Sequence, residues 1–205
     1  MRSLFFASII LIVILGCVSV KPKDLRQTAE SSNPIYSFHF EKALFRASME
    51  VKKNELTGLV FIKKMPDSTY RIVFSNEFGM TYFDLEIHED SFQVIYCFEP
   101  MNKKMLLNIL EIDFRLLIGN NSTSKGKWYL QELTNHQVYH VKDKKFNTWN
   151  TFSTNCDTLL SQTASSNIFN QTIINYLAYR DSFPSKIHIQ NPFINLDLKL
   201  TLLSK

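Results

Sequence analysis

Apolar and polar side chains alternate over most of the chain, and this two-residue period constrains the fold more than any other feature. It is clearest over residues 194–202, where Ile and Leu at the even positions alternate with Asn, Asp, Lys and Thr. Successive side chains of a strand point to opposite faces, so this pattern predicts strands with one buried and one solvated face. Such strands form antiparallel sheets. We therefore predict a mainly β protein in which Leu196, Leu198 and Leu200 share a buried face, opposite Asp197.

The same period and the turn residues between its runs place the other strands. Short loops favour pairing between strands that are neighbours in sequence. Residues 155–167 are rich in Ser, Thr and Asn and are predicted to be a loop. Residues 168–179 are buried, and their pattern fits either a strand or a short helix. The remaining predicted strands cover 36–40, 45–51, 57–63, 70–74, 81–87, 92–98, 127–133, 137–141, 146–152 and 186–189.

One segment departs from the two-residue period. Residues 101–118 carry apolar side chains at spacings of three and four, at Met105, Ile109, Ile112 and Leu116. Asn102 can cap the start of a helix, and Gly119 follows its last apolar residue. The pattern predicts a helix over 101–118. The alternative is a strand over 113–118.

The first seventeen residues have the three parts of a secretory signal. Arg2 supplies a positive charge, residues 4–15 form a run that is apolar apart from Ser8, and Gly16 precedes Cys17. The run is too short to cross a bilayer, which needs roughly 20 apolar residues in a helix. We expect residues 1–16 to be removed as a signal peptide and the rest of the chain to work outside the cytoplasm.

The segment Ile14-Leu15-Gly16-Cys17 resembles the lipobox of bacterial lipoproteins, in which the cysteine receives a diacylglycerol before the signal is cleaved in front of it. Gly16 fits the small residue that the protease requires, whereas Leu15 is bulkier than the usual Ala or Ser. The resemblance implies lipidation of Cys17, with acyl chains such as palmitate that hold the protein at the outer membrane, facing the periplasm. The alternatives are an ordinary signal peptide with a chance cysteine, or a cysteine buried in a membrane-anchor helix.

Composition suggests how the mature chain is organised. Residues 17–35 are dominated by Lys, Pro, Gln, Ser and Asn after Cys17 and predict a flexible linker. Residues 36–205 are long enough for one domain with a sizeable core. The chain is 45% hydrophobic with 17 Phe and 8 Tyr, which argues against disorder. Cys97 and Cys156 can either form a disulfide in an oxidising compartment or stay free, Cys97 as a small buried apolar residue.

The sequence offers little for catalysis, metal or nucleic acid. Its five glycines are too scattered for a phosphate-binding loop or a nucleophile elbow. His136 and His140 have the spacing of metal ligands on a helix, but a strand separates them by about 13 Å. The best acid–base candidate, Glu86, His88 and Asp90, is also explained by solvation of a turn. A net charge of +4 without a block of like charges disfavours nucleic acid. We predict a protein that is not an enzyme and has neither cofactor nor metal.

The chain resembles the LolA/LolB-like group of periplasmic lipoprotein carriers and receptors over residues 36–203. The resemblance implies a single antiparallel sheet, curled into an unclosed half-barrel and covered on its concave side by one or two helices. Receptors of this group have a protruding apolar loop early in the sheet, for which the corresponding turn here, residues 65–68, offers only Met65. The segments that carry the resemblance are Gly58–Lys64, Tyr70–Phe74, Phe78–Asp84, Leu106–Leu110 and Pro184–Ile189.

Several strands are apolar on both faces, and this predicts a function. One helix covers one face only in part, so the remaining apolar surface either closes as a core or stays open as a pocket. We expect a membrane-anchored envelope lipoprotein that binds a lipid, an acyl chain or a lipoprotein under a lid formed by residues 101–118. The alternative is a structural or adaptor lipoprotein of an envelope complex, without a ligand cavity. The side chains expected to line the pocket are Phe61, Phe74, Phe83, Leu85, Val94 and Ile109.

Overall fold

The computed structural model describes residues 21–28, 41–119, 126–142, 146–165 and 171–205. The predicted signal peptide, Cys17 and the predicted strand 36–40 lie outside these residues. The described segments form thirteen strands, one α-helix and a short 3-10 turn at Glu99–Met101. The helix α1 spans Lys104–Leu117. The strands are β1 Leu25–Gln27, β2 Lys42–Val51, β3 Asn54–Lys64, β4 Tyr70–Ser75, β5 Thr81–Ile87, β6 Phe92–Cys97, β7 Lys127–Gln131, β8 His136–Lys142, β9 Asn147–Phe152, β10 Leu159–Ser165, β11 Gln171–Arg180, β12 Phe183–Asn191 and β13 Leu196–Ser204.

All thirteen strands belong to one antiparallel sheet, in the order β1-β7-β8-β9-β10-β11-β12-β13-β2-β3-β4-β5-β6. Strands that are neighbours in sequence pair from β2 to β6 and from β7 to β13, as short loops predict. The last strand returns to pair with β2, where Leu198 lies opposite Met49. The two ends of this sheet, β1 and β6, do not pair with each other, so the sheet formed by the described residues is not closed.

The sheet curls around α1. Asp113 accepts a hydrogen bond from Thr172 on β11, while the ring of its neighbour Phe114 lies 6.0 Å from the ring of Phe83 on β5. These strands are six positions apart in the sheet, which would separate them by about 29 Å if the sheet were flat. Two consecutive helical residues reach both strands only because the sheet bends around the helix. We call the side that faces α1 the inner face.

The inner face carries the hydrophobic core. Leu196, Leu198 and Leu200 are buried on it, Asp197 is half-buried and Lys199 is exposed. The prediction for this strand is therefore confirmed. The alternation continues into the neighbouring strands, and the buried side chains of the sheet and of α1 form one continuous cluster.

Arg115 fastens α1 to the turn between β5 and β6. The buried guanidinium donates to the backbone carbonyl oxygens of His88, at 2.7 Å, Glu89, at 3.1 Å, and Ser91, at 2.7 Å. Its Nε also contacts Glu111, one helical turn earlier, at 2.9 Å. The helix is thus tied to the β6 end of the sheet by Arg115 and to the middle of the sheet through Asp113.

Most predicted elements are confirmed, and three points differ. The helix begins at Lys104 rather than at residue 101, because Glu99–Met101 form the 3-10 turn, and it continues to Leu117, so the alternative strand over 113–118 is wrong. Residues 155–167 are not all loop, because they contain β10. The predicted linker contributes β1, which pairs with β7. The ambiguous stretch 168–179 is a strand in its described part, β11.

Candidate functional site

An apolar cavity of about 490 Å³ opens at one end of the curled sheet. Its walls come from the β2–β3 hairpin, the 3-10 turn, the start of α1 and the β12–β13 turn. This volume lies within the range of small-molecule sites. We call it the end cavity, and its lining residues are Val51, Lys52, Asn54, Leu56, Phe98, Pro100, Met101, Lys103, Met105, Leu106 and Ile194.

The end cavity combines apolar walls with positive charge. None of its lining residues is acidic, while Lys52 and Lys103 contribute two exposed amines. Lys52 is placed by a tight hairpin turn in which it and Lys53 have positive φ values of 50° and 80°, as in a type I′ turn. Lys103 is the residue just before α1, and the first turn of the helix carries no acidic side chain. The positive end of the helix dipole therefore adds to the charge of the two lysines.

Two methionines make part of the wall adaptable. Met101 is buried, whereas Met105 is 50% exposed although it is a large apolar side chain. Unbranched thioether side chains fill irregular spaces and adjust to different partners. The end cavity is thus suited to a ligand with a flexible apolar part and an anionic group.

The six residues predicted to line a ligand pocket are not among those that line the end cavity. Val94 is half-buried against the core. Phe61 is half-buried on the outer face of β3, because its neighbours Val60 and Ile62 take the inner face. Contact of any of the six with a ligand stays a prediction. The other four are fully buried in the core: Phe74, Phe83, Leu85 and Ile109.

Sequence reasoning missed a polar group of side chains on the inner face. Gln162 of β10 is fully buried and donates to Asn150 Oδ1 at 2.9 Å, while the hydroxyl of Tyr176 donates to Gln162 Oε1 at 2.5 Å. Asp113 is also fully buried, and its Oδ2 has no hydrogen-bond partner in the described chain. Burial raises the pKa of Asp113 to about 7, although the hydrogen bond from Thr172 opposes this shift.

An apolar tip protrudes from the turn between β4 and β5. Phe78 is 96% exposed and Met80 is also exposed. The side chain of Asn76 accepts from the backbone N–H of Phe78 at 3.0 Å and of Met80 at 2.8 Å, which holds the tip in shape. The exposed apolar turn is therefore one hairpin later than the turn at residues 65–68 to which the sequence resemblance pointed.

The side chains considered for metal or acid–base chemistry lie apart from the end cavity. His136 and His140 both belong to β8, as the strand prediction requires. The ring of His140 stacks on that of Trp149, with centroids 3.8 Å apart. His88 Nε2 lies 3.7 Å from a Glu86 carboxylate oxygen beside a surface turn. Within the described segments, no three His, Cys, Asp or Glu side chains converge as metal ligands.

Two further observations concern the cysteines and the helix. Cys97, half-buried, and Cys156, exposed, are both free.

Across residues 21–28, 41–119, 126–142, 146–165 and 171–205, no helix has the length and apolar character needed to traverse a membrane.

Comparison with known proteins gives structural neighbours. No protein-family model matches the chain, and no curated protein matches it in sequence. A DUF1329 family protein from Desulfovibrio piger is 11% identical, with a TM-score of 0.44 over 80% of this chain and 84% of that one. A domain named for outer membrane lipoprotein sorting, from Vibrio parahaemolyticus, is 10% identical, with a TM-score of 0.39 over 82% of this chain and 86% of that one.

Proposed function

We propose that this protein is a membrane-anchored envelope lipoprotein that binds a lipid or an acyl chain in the end cavity, without catalysis. One observation carries the proposal: a cavity of about 490 Å³ has apolar walls and two lysines among its lining residues. Each methylene group that leaves water for an apolar site contributes about 0.8 kcal/mol, so an acyl chain gains affinity along its length. The lysines suit a carboxylate or phosphate at the end of that chain.

The position of the end cavity supports binding without disruption of the core. Its lining comes from two hairpin turns and the beginning of α1, whereas the centre of the inner face is filled by fully buried side chains such as Phe74 and Phe83. A ligand can therefore enter at the end of the curled sheet while α1 stays packed. Lipidation of Cys17 would hold this cavity near the membrane that supplies the ligand.

The proposal is tested with a fluorescent fatty acid and two glutamate variants. Met105→Glu places a carboxylate at the wall of the end cavity, on a side chain that is already 50% exposed and so need not unfold the protein. Leu177→Glu is the matched control, because Leu177 is 65% exposed on β11 and does not line the cavity. We expect Met105→Glu to weaken binding at least tenfold and Leu177→Glu to leave it unchanged. A folded protein that shows no saturable binding, or equal effects of both variants, would contradict the proposal.

A second candidate function, that of an adaptor in an envelope complex, is favoured by the protruding tip. Phe78 is 96% exposed, and the hydrogen bonds to Asn76 preorganise its turn, as expected of a contact residue. The adaptor function predicts two results. Phe78→Ser should abolish crosslinking between the tip and another protein in intact envelopes, and no acyl ligand should bind. Retained acyl binding by Phe78→Ser, with an unchanged crosslinking pattern, would remove this candidate.

A further inference from the structure

A second cavity, of about 470 Å³, lies on the outer face of the sheet, the face that points away from α1. It extends over strands β7 to β11, and residues Lys21–Lys23, just before β1, form part of its wall. We call it the outer-face cavity. Since the end cavity is built from other elements, with no lining residue in common, the two are separate sites.

Four uncharged polar side chains line this cavity as a contiguous patch. Ser161 of β10 lies between Thr151 of β9 and Asn175 of β11, which are its direct partners in the two neighbouring strands. Thr163 follows two residues later on β10 and so shares the same face. All four side chains are half-buried. None of them makes a hydrogen bond to another side chain or backbone group of the described residues, so the patch offers hydrogen bonds that the fold itself does not use.

The charge of the lining is of one sign. No lining residue is acidic, whereas Lys21 and Lys23 are exposed lysines at the wall and His136 lies on the sheet below. Hydroxyl and amide groups beside ammonium groups are the chemistry that binds a phosphate ester carrying further hydroxyl groups. The apolar lining residues are few, which disfavours a purely apolar ligand.

The position of the lysines along the chain indicates where such a ligand comes from. Lys21 follows Cys17 by four residues, which span at most about 14 Å when fully extended. If Cys17 is acylated, Lys21 lies within reach of the phospholipid head groups around the anchor. Lysines at an anionic membrane surface each strengthen binding about fivefold.

We propose that the outer-face cavity binds the phosphate-bearing head group of an anionic phospholipid and so fixes the orientation of the protein on its membrane. The choice of a lipid over a free phosphate ester rests on the proposed anchor at Cys17. The contacts come from Lys21 and Lys23 to the phosphate, and from Ser161, Thr163 and Asn175 to the hydroxyl groups of the head. This orientation would leave the inner face and the end cavity free.

To test this, the full-length protein is titrated with three soluble compounds. They are short-chain phosphatidylglycerol below its critical micelle concentration, the matching phosphatidylcholine, and glycerol 3-phosphate. We expect saturable binding of phosphatidylglycerol, with the other two bound at least tenfold more weakly. The double variant Lys21→Gln/Lys23→Gln should weaken phosphatidylglycerol binding at least about tenfold, because it removes both ammonium groups that pair with the phosphate, and Thr163→Val/Asn175→Leu, which keeps the charge, at least about fivefold. The control Lys42→Gln/Lys63→Gln removes the same charge from a directly opposed pair on β2 and β3, far from this cavity, and should change binding less than twofold.

Four outcomes would overturn the proposal, each in a different way. Equal losses in the two lysine double variants would assign the binding to diffuse charge, and absence of phosphatidylglycerol binding would remove the site. Glycerol 3-phosphate binding as tight as that of the lipid would make a free phosphate ester the ligand. The variant Met105→Glu separates the two cavities: if it abolishes phosphatidylglycerol binding while Lys21→Gln/Lys23→Gln does not, the lipid binds in the end cavity and the head-group site is wrong. Loss of acyl binding alone in Met105→Glu leaves both proposals standing.

Discussion

Thr172 donates a hydrogen bond from Oγ1 to Asp113 Oδ1 across 2.7 Å and joins α1 to β11 inside the curled sheet. Asp113 is fully buried, and no described group contacts its Oδ2 through a hydrogen bond. Because burial disfavours the charged form, the pKa of this carboxyl rises to about 7. A group that ionises near neutral pH therefore lies between the helix and the sheet.

The first prediction concerns the pH dependence of stability. The carboxyl has a pKa near 3.9 in the unfolded chain and about 7 in the folded one, so between these values the folded state binds the proton more tightly. The free energy of unfolding should therefore fall as pH rises from about 4 to about 7, by up to about 1.4 kcal/mol per pH unit. Above about pH 7 the stability that the protonated carboxyl contributes at low pH is fully lost.

Asp113→Asn removes this titration. Urea unfolding at pH 5 and pH 8 should show a smaller loss of stability in the variant than in the parent protein. Asp90→Asn, on an exposed turn, is the control and should keep the parental profile. Parallel profiles for the parent and Asp113→Asn would contradict the assignment.

The second prediction concerns the core. Leu198 is fully buried on β13, and its truncation to Ala should lower the free energy of unfolding by about 2–5 kcal/mol, because a cavity replaces packed methyl groups. Leu203 lies on the same strand but is exposed, so Leu203→Ala should have less than about 0.5 kcal/mol of effect. Chemical unfolding measures both, and similar midpoints for the two variants would argue against the buried face.

The elements that were predictable from sequence are those whose local pattern matches their burial. Strand β5 was predicted with its correct bounds because its inner residues are apolar and its outer ones polar, as Leu85 and Glu86 show. Strand β10 was missed because its buried positions include Gln162, a polar residue that a sequence pattern assigns to the surface. Gln162 is buried because Asn150 and Tyr176 satisfy its amide across two neighbouring strands. A single strand's sequence does not contain that information.

The cavities were less predictable than the strands. The end cavity joins residues as far apart in sequence as Val51, Met105 and Ile194, which meet only after the sheet has curled. The sequence pattern identified apolar side chains such as Phe74 and Phe83 correctly as interior. The pattern did not distinguish side chains that pack in the core from side chains that line a cavity. That difference depends on how the turns and the start of α1 meet in the folded protein.

The third prediction concerns the attachment of α1. Arg115→Met keeps an unbranched stem about as long as that of Arg up to Nε, but it removes the guanidinium and its hydrogen bonds to the carbonyl oxygens of His88, Glu89 and Ser91. We expect the free energy of unfolding to fall by at least about 1–3 kcal/mol, since the carbonyl oxygens of His88 and Glu89 lose the guanidinium as a donor. The carbonyl oxygen of Ser91 keeps the backbone N–H of His88 as a donor. Hydrogen exchange should also become faster in the turn between β5 and β6. Arg46→Met, on an exposed position of β2, is the control, and equal effects of the two variants would contradict this role.

The fourth prediction concerns the anionic group of the ligand. Lys52→Gln/Lys103→Gln removes the two positive charges that line the end cavity while the apolar wall stays intact. A fatty acid should then bind several-fold more weakly. The fatty alcohol of equal length should bind as before, because it has no carboxylate to form an ion pair with the lysines. Competition against a fluorescent fatty acid measures both ligands. Equal weakening for acid and alcohol would show that the lysines shape the cavity rather than recognise charge.

The last prediction concerns the anchor. Cys17 follows an apolar run and a small residue, as in a lipobox, and it lies outside the described residues. Its acyl chains would hold the protein at the membrane essentially permanently, because one chain alone binds only marginally and several act together. Cys17→Ala should abolish incorporation of labelled palmitate and either release the protein from the membrane fraction or leave the signal uncut, while Cys156→Ala, at the exposed free cysteine, should change neither. Undiminished label and unchanged membrane partition in high salt would show that the protein is held there by something other than a lipid on Cys17. Because the short-chain lipid titration needs no anchor, that result would leave the head-group site to be decided on its own measurements.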